Sequence, residues 1–369
     1  MAISIGNGVV MGIGSSGTII AGVDSSFQFT TPALMNGSTT IAYMRAVTVN
    51  SAGLFVAVGT DVNNYPIYAT STDGTTWTTP ALMNNSSVYA YMQSVTVNSA
   101  GLFVAVGYTA NYYPLYATSS NGSTWTTPAL MNGSSAVAAM NSVTVNSSGL
   151  FVAVGETIYP NNYPLYATST NGSTWTTPAQ MNGSTVAADM RSVTVNSSGL
   201  FVAVGQNSLQ YPLYATSSNG STWTTPALMN GSTATATMNS VTVNSAGLFV
   251  AVGSSAYPNT YPLYATSTNG STWTTPAQMN GSTTPIGINS VTVNSTGFFV
   301  AVGHGDDTYS YYATSANGST WTTPAIMNNS NSYGFPAGIT VNRADLFVAV
   351  GYQGNSYPTF TTSTIAYGI

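Results

Sequence analysis

The sequence has no cysteine, no lysine and very little charge of either sign. Only 3% of its 369 residues are charged, against roughly 25% in an average soluble domain, and its cations are Arg45, Arg191 and Arg343. The absence of cysteine excludes disulfides and thiolate metal sites. Three arginines cannot neutralise a phosphate backbone, which excludes nucleic acid as a partner. No metal-ligand or cofactor-binding motif is present, so we expect neither a metal nor a cofactor.

Long apolar runs and helical periodicity are also missing. No run approaches the roughly 20 apolar residues that span a bilayer, so we expect no membrane insertion. The segment MAISIGNGVVMGIG has no basic region and alternates like a strand, so we expect no cleavable signal peptide. Apolar residues still make up 43% of the chain, which is enough to form a core. Solubility then depends on neutral hydroxyls and amides, a surface that suits an extracellular or virion-bound protein.

A tandem repeat of 48 to 50 residues fills the chain, with the length of a four-stranded propeller blade. In the fourth copy, the strand-like segments are SVTVN, LFVAVG, PLYATS and STWTTP, which we name A to D. Alternating β-branched and aromatic residues, separated by Asn-Ser-Ser-Gly and Asn-Gly, predict strands and hairpins. Both faces of strand B are apolar, as expected for a sheet packed between two others.

The sequence therefore predicts one all-β domain over residues 1–369, a single β-propeller. The N-terminal AISIGNGVVMGIG aligns with SVTVNSSGLFVAVG and supplies a divergent extra repeat, so we favour eight blades. The alternative is a seven-bladed ring in which the strand at Phe29 completes the C-terminal blade. In the eight-bladed interpretation the repeats are approximately 1–41, 42–89, 90–137, 138–187, 188–235, 236–285, 286–335 and 336–369.

The segments STDGTTW, STNGSTW and SSNGSTW resemble the Asp-box, or BNR, repeat, although one residue between Asp and Gly is missing here. Together with LFVAVG they are similar to a short-repeat propeller found in bacterial and phage surface proteins. The resemblance implies a structural hairpin between strands C and D and implies no activity. The residues in question are Asp73, Trp77, Asn121, Trp125, Asn171, Trp175, Asn219, Trp223, Asn269, Trp273, Asn317 and Trp321.

Residue chemistry leads to the same structural role for this segment. Asn-Gly and Asp-Gly favour tight hairpin turns because both positions tolerate positive φ. The tryptophan that follows is a large apolar side chain, which we expect to wedge between blades. We therefore interpret STDGTTW and its copies as scaffold rather than as a ligand site used in every blade.

The two faces of such a disc differ in how much the copies vary. One face carries the A–B and C–D turns, which are nearly identical in every repeat; we call it the turn face. The loop face carries the B–C loops and D–A connections, which are unlike one another and rich in tyrosine and asparagine. Unlike loops can make distinct contacts, so we expect ligand or partner binding there. The candidate residues are Tyr43, Tyr89, Tyr91, Tyr108, Tyr112, Tyr159, Tyr257, Tyr309 and Tyr352.

Sialidases also carry Asp-boxes, so the resemblance raises the question of glycosidase activity. A sialidase-like site would need three clustered arginines, a tyrosine nucleophile and paired carboxylates. Arg45 and Arg191 occupy one repeat position three blades apart, Arg343 lies on the opposite face, and Glu156 is the only glutamate. We therefore expect that the constellation cannot be assembled and that the protein is not an enzyme.

One dense polar segment and the overall composition complete the sequence-based picture. His304, Asp306 and Asp307 form a weak candidate for a cation site, which we interpret as a solvated loop. We expect a structural or adhesive propeller of a virion, such as a phage tail or capsid-decorating protein, or of a surface filament. Its partners would be other such subunits or further copies of this chain. The alternative is a multivalent, lectin-like propeller that binds cell-surface glycans.

Overall fold

Each repeat forms one antiparallel sheet with the strand order A-B-C-D, and seven such sheets surround a common axis. The A strands are innermost and contact the A strands of both neighbouring blades. The computed structural model describes residues 27–158, 161–256, 260–328 and 334–363 in full, and the backbone alone of 2–5, 9–13, 19–23, 329 and 364. The single all-β propeller with four-stranded blades is thereby confirmed.

The strands have nearly the same bounds in every blade. The A strands are Ala42–Val49, Ala90–Val97, Ala138–Val145, Ala188–Val195, Ala236–Val243, Ile286–Val293 and Gly334–Val341. The B strands are Phe55–Asp61, Phe103–Thr109, Phe151–Thr157, Phe201–Asn207, Phe249–Ser255, Phe299–Gly305 and Phe347–Gln353. The C strands are Pro66–Ser71, Pro114–Ser119, Pro164–Ser169, Pro212–Ser217, Pro262–Ser267, Ser310–Ser315 and Pro358–Thr364.

The D strands are only two residues long, and in every blade a 3₁₀ turn follows the D position. In blades 1 to 6 the D strands are Ala81–Leu82, Ala129–Leu130, Ala179–Gln180, Ala227–Leu228, Ala277–Gln278 and Ala325–Ile326. In blade 7 the same position is taken by Gln28–Phe29 and Ala33–Leu34. The 3₁₀ turns are Met35–Gly37, Met83–Asn85, Met131–Gly133, Met181–Gly183, Met229–Gly231, Met279–Gly281 and Met327–Asn329.

The ring closes with seven blades, so the favoured eight-bladed ring is wrong and the seven-bladed alternative is confirmed. Residues 28–34 pair with the last C strand, Phe29 opposite Ser363 and Leu34 opposite Thr359. The A strand of blade 7 packs directly against that of blade 1, which leaves no gap for another blade. Closure therefore depends on backbone hydrogen bonds between the two ends of the ring.

The N-terminal residues that suggested an eighth repeat form strands outside the ring. Ala2–Ile5, Val9–Ile13 and Ile19–Val23 make an antiparallel three-stranded sheet of their own. The alternating pattern of AISIGNGVVMGIG correctly predicted that this segment forms paired strands. These strands do not form a blade of the ring. Among the described residues, no helix has the length and apolarity to cross a membrane.

The apolar core of the propeller lies between blades rather than within them. At the interface between blades 3 and 4, Val152 and Val154 of blade 3 pack with Phe201 and Ala203 of blade 4, and all four are fully buried. The other six interfaces repeat this arrangement. Strand B is apolar on both faces because each face packs against a different neighbour.

The C–D turn is held by side-chain hydrogen bonds to its own backbone. In blade 4, Asn219 Oδ1 accepts from the amides of Ser221 and Thr222 at 2.9 and 2.7 Å. Trp223 Nε1 donates to Gly220 O at 3.0 Å, and the indole is buried against the Tyr166 ring of blade 3. The tryptophan therefore wedges between two blades, as the sequence predicted.

Asp and Asn perform the same task in this turn. Asp73 Oδ1 in blade 1 accepts from the amides of Thr75 and Thr76 at 2.8 and 2.6 Å. These amide hydrogen bonds, led by that of Thr76, hold the pKa of Asp73 well below its usual range. Because the acceptor is one oxygen atom in either residue, the five asparagine copies keep the turn without the charge.

Strand D does not lie where the sequence pattern placed it. The segment STWTTP at 221–226 makes only a local connection, in which Thr224 N donates to Thr216 O at 2.9 Å. The outer strand begins after it, at Ala227, because the tryptophan turns inward and Pro226 has no amide to donate. Asn230 then donates from Nδ2 to Thr275 Oγ1 of the next blade at 2.7 Å, a bond repeated around the ring.

Two glycines of blade 4 allow the blade interface to be tested with a matched pair of variants. Gly220 and Gly231 both have positive φ, 77° and 64°. A Cβ on Gly220 would lie 2.7 Å from Val152 Cγ2 of blade 3, whereas a Cβ on Gly231 meets nothing within 4 Å. We expect Gly231→Ala to cost about 1 kcal/mol and Gly220→Ala about 2–4 kcal/mol, measured by urea unfolding. Equal losses would contradict tight packing at this interface.

Candidate functional site

A β-bulge in every A strand directs one side chain towards the axis. In blade 3 the pairing with strand B shifts between Met140 and Ser142, which leaves Asn141 without a partner across the ladder. Gly155 lies opposite Met140, and a Cβ there would approach Ala139 O to 1.9 Å. The glycine of LFVAVG is therefore the residue that permits the bulge. The bulge in turn exposes residue 141 to the channel.

The bulged residues of all seven blades line one cavity of about 470 Å³ at the centre of the ring. Six of the seven are polar, so the channel has a ring of amides and guanidinium groups. The bulged residues are Arg45, Gln93, Asn141, Arg191, Asn239, Asn289 and Ala337.

A second tier of side chains surrounds the cavity at the loop face. Asp189 and Phe335 lie two residues before the bulge, and Glu156, His304 and Tyr352 directly follow the Val-Ala-Val-Gly of strand B in their blades. We call these five and the seven bulged residues the channel mouth. It contains two of the three arginines, the only glutamate and the only histidine of the chain. Four of the eleven charged residues of the chain therefore line this one cavity, including two of the three cations.

One side of the channel mouth is a connected polar network. Arg191 Nε donates to Asp189 Oδ2 at 2.7 Å, and Arg191 Nη1 donates to Asn239 Oδ1 at 3.0 Å. Asn141 Nδ2 lies 3.2 Å from Asp189 Oδ1, and Asn239 Nδ2 donates to Ile288 O at 2.8 Å. Each residue is fixed by a partner in its own or the next blade, so the network is preorganised.

Glu156 lies close to the Asp189 carboxylate in a half-buried position. Burial and, after it, the neighbouring Asp189 charge raise the pKa of Glu156 to about 8, against the opposing effect of Arg191. Asn162 Nδ2 donates to Glu156 Oε2 at 2.9 Å. At neutral pH the Glu156 carboxyl is therefore largely protonated, and it can both donate and accept a hydrogen bond.

The other side of the channel mouth is aromatic. Phe335 and Tyr352 are stacked, with ring centroids 5.1 Å apart and planes at 22°. Tyr43 meets Tyr352 edge-on at 5.0 Å, and the Arg45 guanidinium lies 5.9 Å from the Tyr352 centroid. His304 lies 4.7 Å from Phe335, centroid to centroid. These rings give the cavity a rigid apolar wall beside a cation.

Burial of His304 favours its neutral form. Burial lowers its pKa, with Asp306 acting in the opposite direction. Asn289 Nδ2 lies 3.1 Å from His304 Nδ1, so this ring nitrogen accepts and the proton is on Nε2. His304 thus offers a donor without a charge.

The tyrosines predicted from the sequence fall into distinct groups in the structure. Of the candidate tyrosines that the structure describes, Tyr352 alone lines the cavity, and Tyr43 contacts Tyr352. Tyr91 and Tyr108 lie 5.3 Å apart, and Tyr112 is stacked on Tyr108 at 5.3 Å, which makes an aromatic cluster on blade 2. All of these tyrosines belong to the loop face.

The remaining candidate tyrosines lie away from the channel mouth or outside the described residues. Tyr89 is 55% exposed and lies 5.5 Å from Tyr65 on the rim of the loop face. Tyr309 packs against the core between blades 5 and 6. Tyr159 and Tyr257 are outside the described residues. Their proposed role in binding stays a prediction.

Sequence reasoning missed the bulged residues, although a signal was present. Within the otherwise similar A strands, the residue before Ser-Val-Thr-Val, or before Ala-Val-Thr-Val in blade 1, is Arg45, Gln93, Asn141, Arg191, Asn239 or Asn289. A variable polar residue inside a nearly invariant strand indicates a position that does not pack. In a closed ring, one repeat position forms a circle about the axis, so Arg45 and Arg191 meet in the same cavity although they are three blades apart in sequence.

The polar segment around His304 does not converge on a cation site. Asp307 Oδ2 accepts from Tyr311 Oη at 2.8 Å, while His304 faces the channel. Throughout the part of the chain that the structure describes, no group of three or more His, Cys, Asp or Glu residues could hold a metal ion.

Comparison with known proteins identifies the fold and no family. The chain matches no protein-family model and no curated protein. A structure of YCF48 bound to D1 peptide is 16% identical with a TM-score of 0.61, covering 92% of this chain and 96% of that one. An ulvan lyase of polysaccharide lyase family 25 is 8% identical with a TM-score of 0.59, covering 91% and 93%.

A third similar structure is the intramolecular trans-sialidase from Ruminococcus gnavus, 10% identical with a TM-score of 0.50 over 91% of this chain and 94% of that one. The expectation that this protein is not an enzyme is contradicted, because the same fold is that of a lyase and a trans-sialidase. One part of the argument behind that expectation is also wrong: Arg45 and Arg191 share one cavity with Glu156, although they are three blades apart.

The raised pKa of Glu156 makes stability depend on pH. Between the unfolded pKa of roughly 4.3 and the folded pKa of about 8, the unfolded chain releases a proton that the folded chain retains. Stability contributed by this group is therefore complete below the unfolded pKa and lost as pH rises towards 8. We expect Glu156→Gln to be more stable than the wild type at pH 8, by about 1–2 kcal/mol after allowance for solvent screening.

Urea unfolding at several pH values measures this difference. At pH 4 both proteins carry a neutral side chain at position 156, so the difference should be smallest there, which provides an internal control. A difference that does not grow between pH 4 and pH 8 would show that Glu156 ionises normally in the folded protein.

Proposed function

We propose that this propeller binds a saccharide in the channel mouth. The observation that carries the proposal is the pairing, in one cavity, of the stacked Phe335 and Tyr352 rings with the Arg191–Asp189–Asn239 network. A sugar ring has apolar C–H faces and a periphery of hydroxyl groups. Aromatic walls and fixed amide or charged groups are complementary to these two surfaces.

The size and polarity of the cavity support a small polar ligand. Its volume of about 470 Å³ falls within the roughly 300–1,000 Å³ of small-molecule sites. Asn141 and Asn239 are anchored by the main chain of the next blade, so their positions are set before a ligand arrives. Gln93 lines the same cavity without a hydrogen-bond partner among the described residues, so its amide is available to a hydroxyl.

A separate observation favours protein contacts on the rim of the loop face. Every large apolar side chain that is exposed among the described residues lies in a B–C loop or a D–A connection of blades 1 to 4. They are Val62, Val88, Tyr89, Tyr112, Val137, Val186 and Leu209. Exposed apolar side chains gathered on one face suit contact with another protein. The similar YCF48 structure has a bound peptide, which illustrates protein recognition by this fold.

Saccharide binding can be tested at the aromatic wall. We expect Tyr352→Ala to weaken binding of the glycans that bind the wild type on an array by at least about tenfold, because the stacking surface is lost. Tyr352→Phe keeps the ring and should retain most of the affinity. Tyr89→Ala removes an exposed loop-face tyrosine outside the cavity and serves as the control. Titration calorimetry gives the affinities, and unchanged binding by Tyr352→Ala would place the site elsewhere.

We also propose an exterior location, on a virion or a surface filament. The nearly charge-free surface, the near-identical repeats and the apolar rim support a role in contacts between subunits or with a host surface. Antibody labelling of purified particles, viewed by electron microscopy, is expected to decorate their outer surface. If the protein were absent from every particle fraction and stayed monomeric at high concentration, this proposal would fall.

A further inference from the structure

Arg45 is the one cation of the channel mouth that has no anionic partner among the described residues. Arg191 is paired with Asp189 at 2.7 Å, and this is the only ion pair in the described part of the chain. Arg45 instead lies between two tyrosine rings, 6.0 Å from the centroid of Tyr43 and 5.9 Å from that of Tyr352. The rings restrict the arginine without neutralising it, and its five N–H donors remain open to a ligand.

The charges around Arg45 leave the cavity positive within an acidic protein. The whole chain carries a net charge of −5. In the channel mouth, Arg191 is paired with Asp189, the lowered pKa of His304 favours its neutral form, and the raised pKa of Glu156, about 8, favours its protonated form at pH 7. Arg45 is then the uncompensated charge. A positive cavity on a negative molecule favours an anion at this place and not elsewhere on the surface.

The aromatic wall and Arg45 are parts of one surface, because Tyr352 stacks on Phe335 and also borders the guanidinium. A sugar ring placed against this wall would bring a substituent at its edge to Arg45. Among common sugar substituents, a planar carboxylate matches the forked donors of a guanidinium in two parallel hydrogen bonds.

We propose that the channel mouth selects carboxylate-bearing saccharides and that Arg45 binds the carboxylate. The inference rests on the proposed saccharide-binding function and narrows its ligand class. Arg191 is excluded from this role because its guanidinium is already held by Asp189 and Asn239. Arg343 lies in the A–B turn of blade 7 on the opposite face, which makes it the natural control.

The test compares each acidic sugar with its own uncharged form. The probes are oligosaccharides containing glucuronic, galacturonic, mannuronic or sialic acid, each offered as the free acid and as the methyl ester, together with neutral glycans. We expect the wild type to prefer at least one free acid over its ester by about 10–100-fold, the range for a charged hydrogen-bonded pair. Arg45→Gln should abolish that preference while leaving ester binding, and Arg343→Gln should retain it.

The outcomes separate the two proposals. If acids and esters bind equally, or if Arg45→Gln keeps the preference, the carboxylate inference is overturned while saccharide binding stands. If no glycan of any kind binds, the proposed function itself fails. Thermal unfolding of both arginine variants shows whether the ring is intact. Since both arginines are exposed to solvent, we expect wild-type stability in each case.

Glu156 supplies a second readout. The titratable and charged groups that face it are Asp189, Arg191 and Tyr108, and the nonionic Asn141 and Asn162 contact it as well. When Glu156 loses its proton, the cavity is no longer positive, so affinity for the acid form should fall as pH rises from 7 to 9.5. In Glu156→Gln this fall should disappear, and ester binding should be flat in both proteins. A fall that persists in Glu156→Gln would overturn the part assigned to Glu156.

Discussion

Contact between neighbouring blades is the interaction on which the rest of this structure depends. Every apolar cluster takes residues from two blades, as when Val152 and Val154 of one sheet cover Phe201 of the next. A single blade therefore has no core of its own, and the interfaces are complete only when the ring closes. Closure is supplied by residues 28–34, which hydrogen-bond to the last C strand, and Asn328 joins the same junction by donating to Thr31 at 2.7 Å.

The same constraint determines where function can reside. The interface between blades fixes the apolar residues of strand B. It also fixes the tryptophan and the glycine of the C–D turn, so these positions scarcely vary between copies. The bulge in strand A has the opposite consequence. Gly155 and its equivalents admit the bulge, and the bulged side chain faces the channel, outside the apolar clusters between blades. Positions 45, 93, 141, 191, 239 and 289 are therefore free to differ, and together they give the cavity its chemistry.

Much of the fold follows from the sequence because its causes are local or periodic. The 48- to 50-residue repeat predicts blades, and Asn-Gly before Trp223 predicts the C–D turn with the indole between blades. Blade number is harder because it depends on a pairing between residues about 330 positions apart, Phe29 and Ser363. Local alternation in AISIGNGVVMGIG is equally compatible with a blade and with a separate sheet, so it could not decide the question.

The site was only partly predictable for a related reason. Tyrosine-rich loops led to the face that carries the candidate cavity and to Tyr352, which lines it, but bulges are set by ladder register, which a strand pattern does not reveal. Treating Arg45 and Arg191 as distant neglected the fact that a closed ring brings equivalent positions to one axis. That geometry has an electrostatic effect: the charges of Asp189 and Arg191 both act on Glu156, and Arg45 lines the same cavity. Outside the channel mouth the chain carries mainly carboxylates, and they are few. Arg45 in the channel mouth is therefore a positive feature of an acidic molecule, and its field acts on an anion with little screening by other cations.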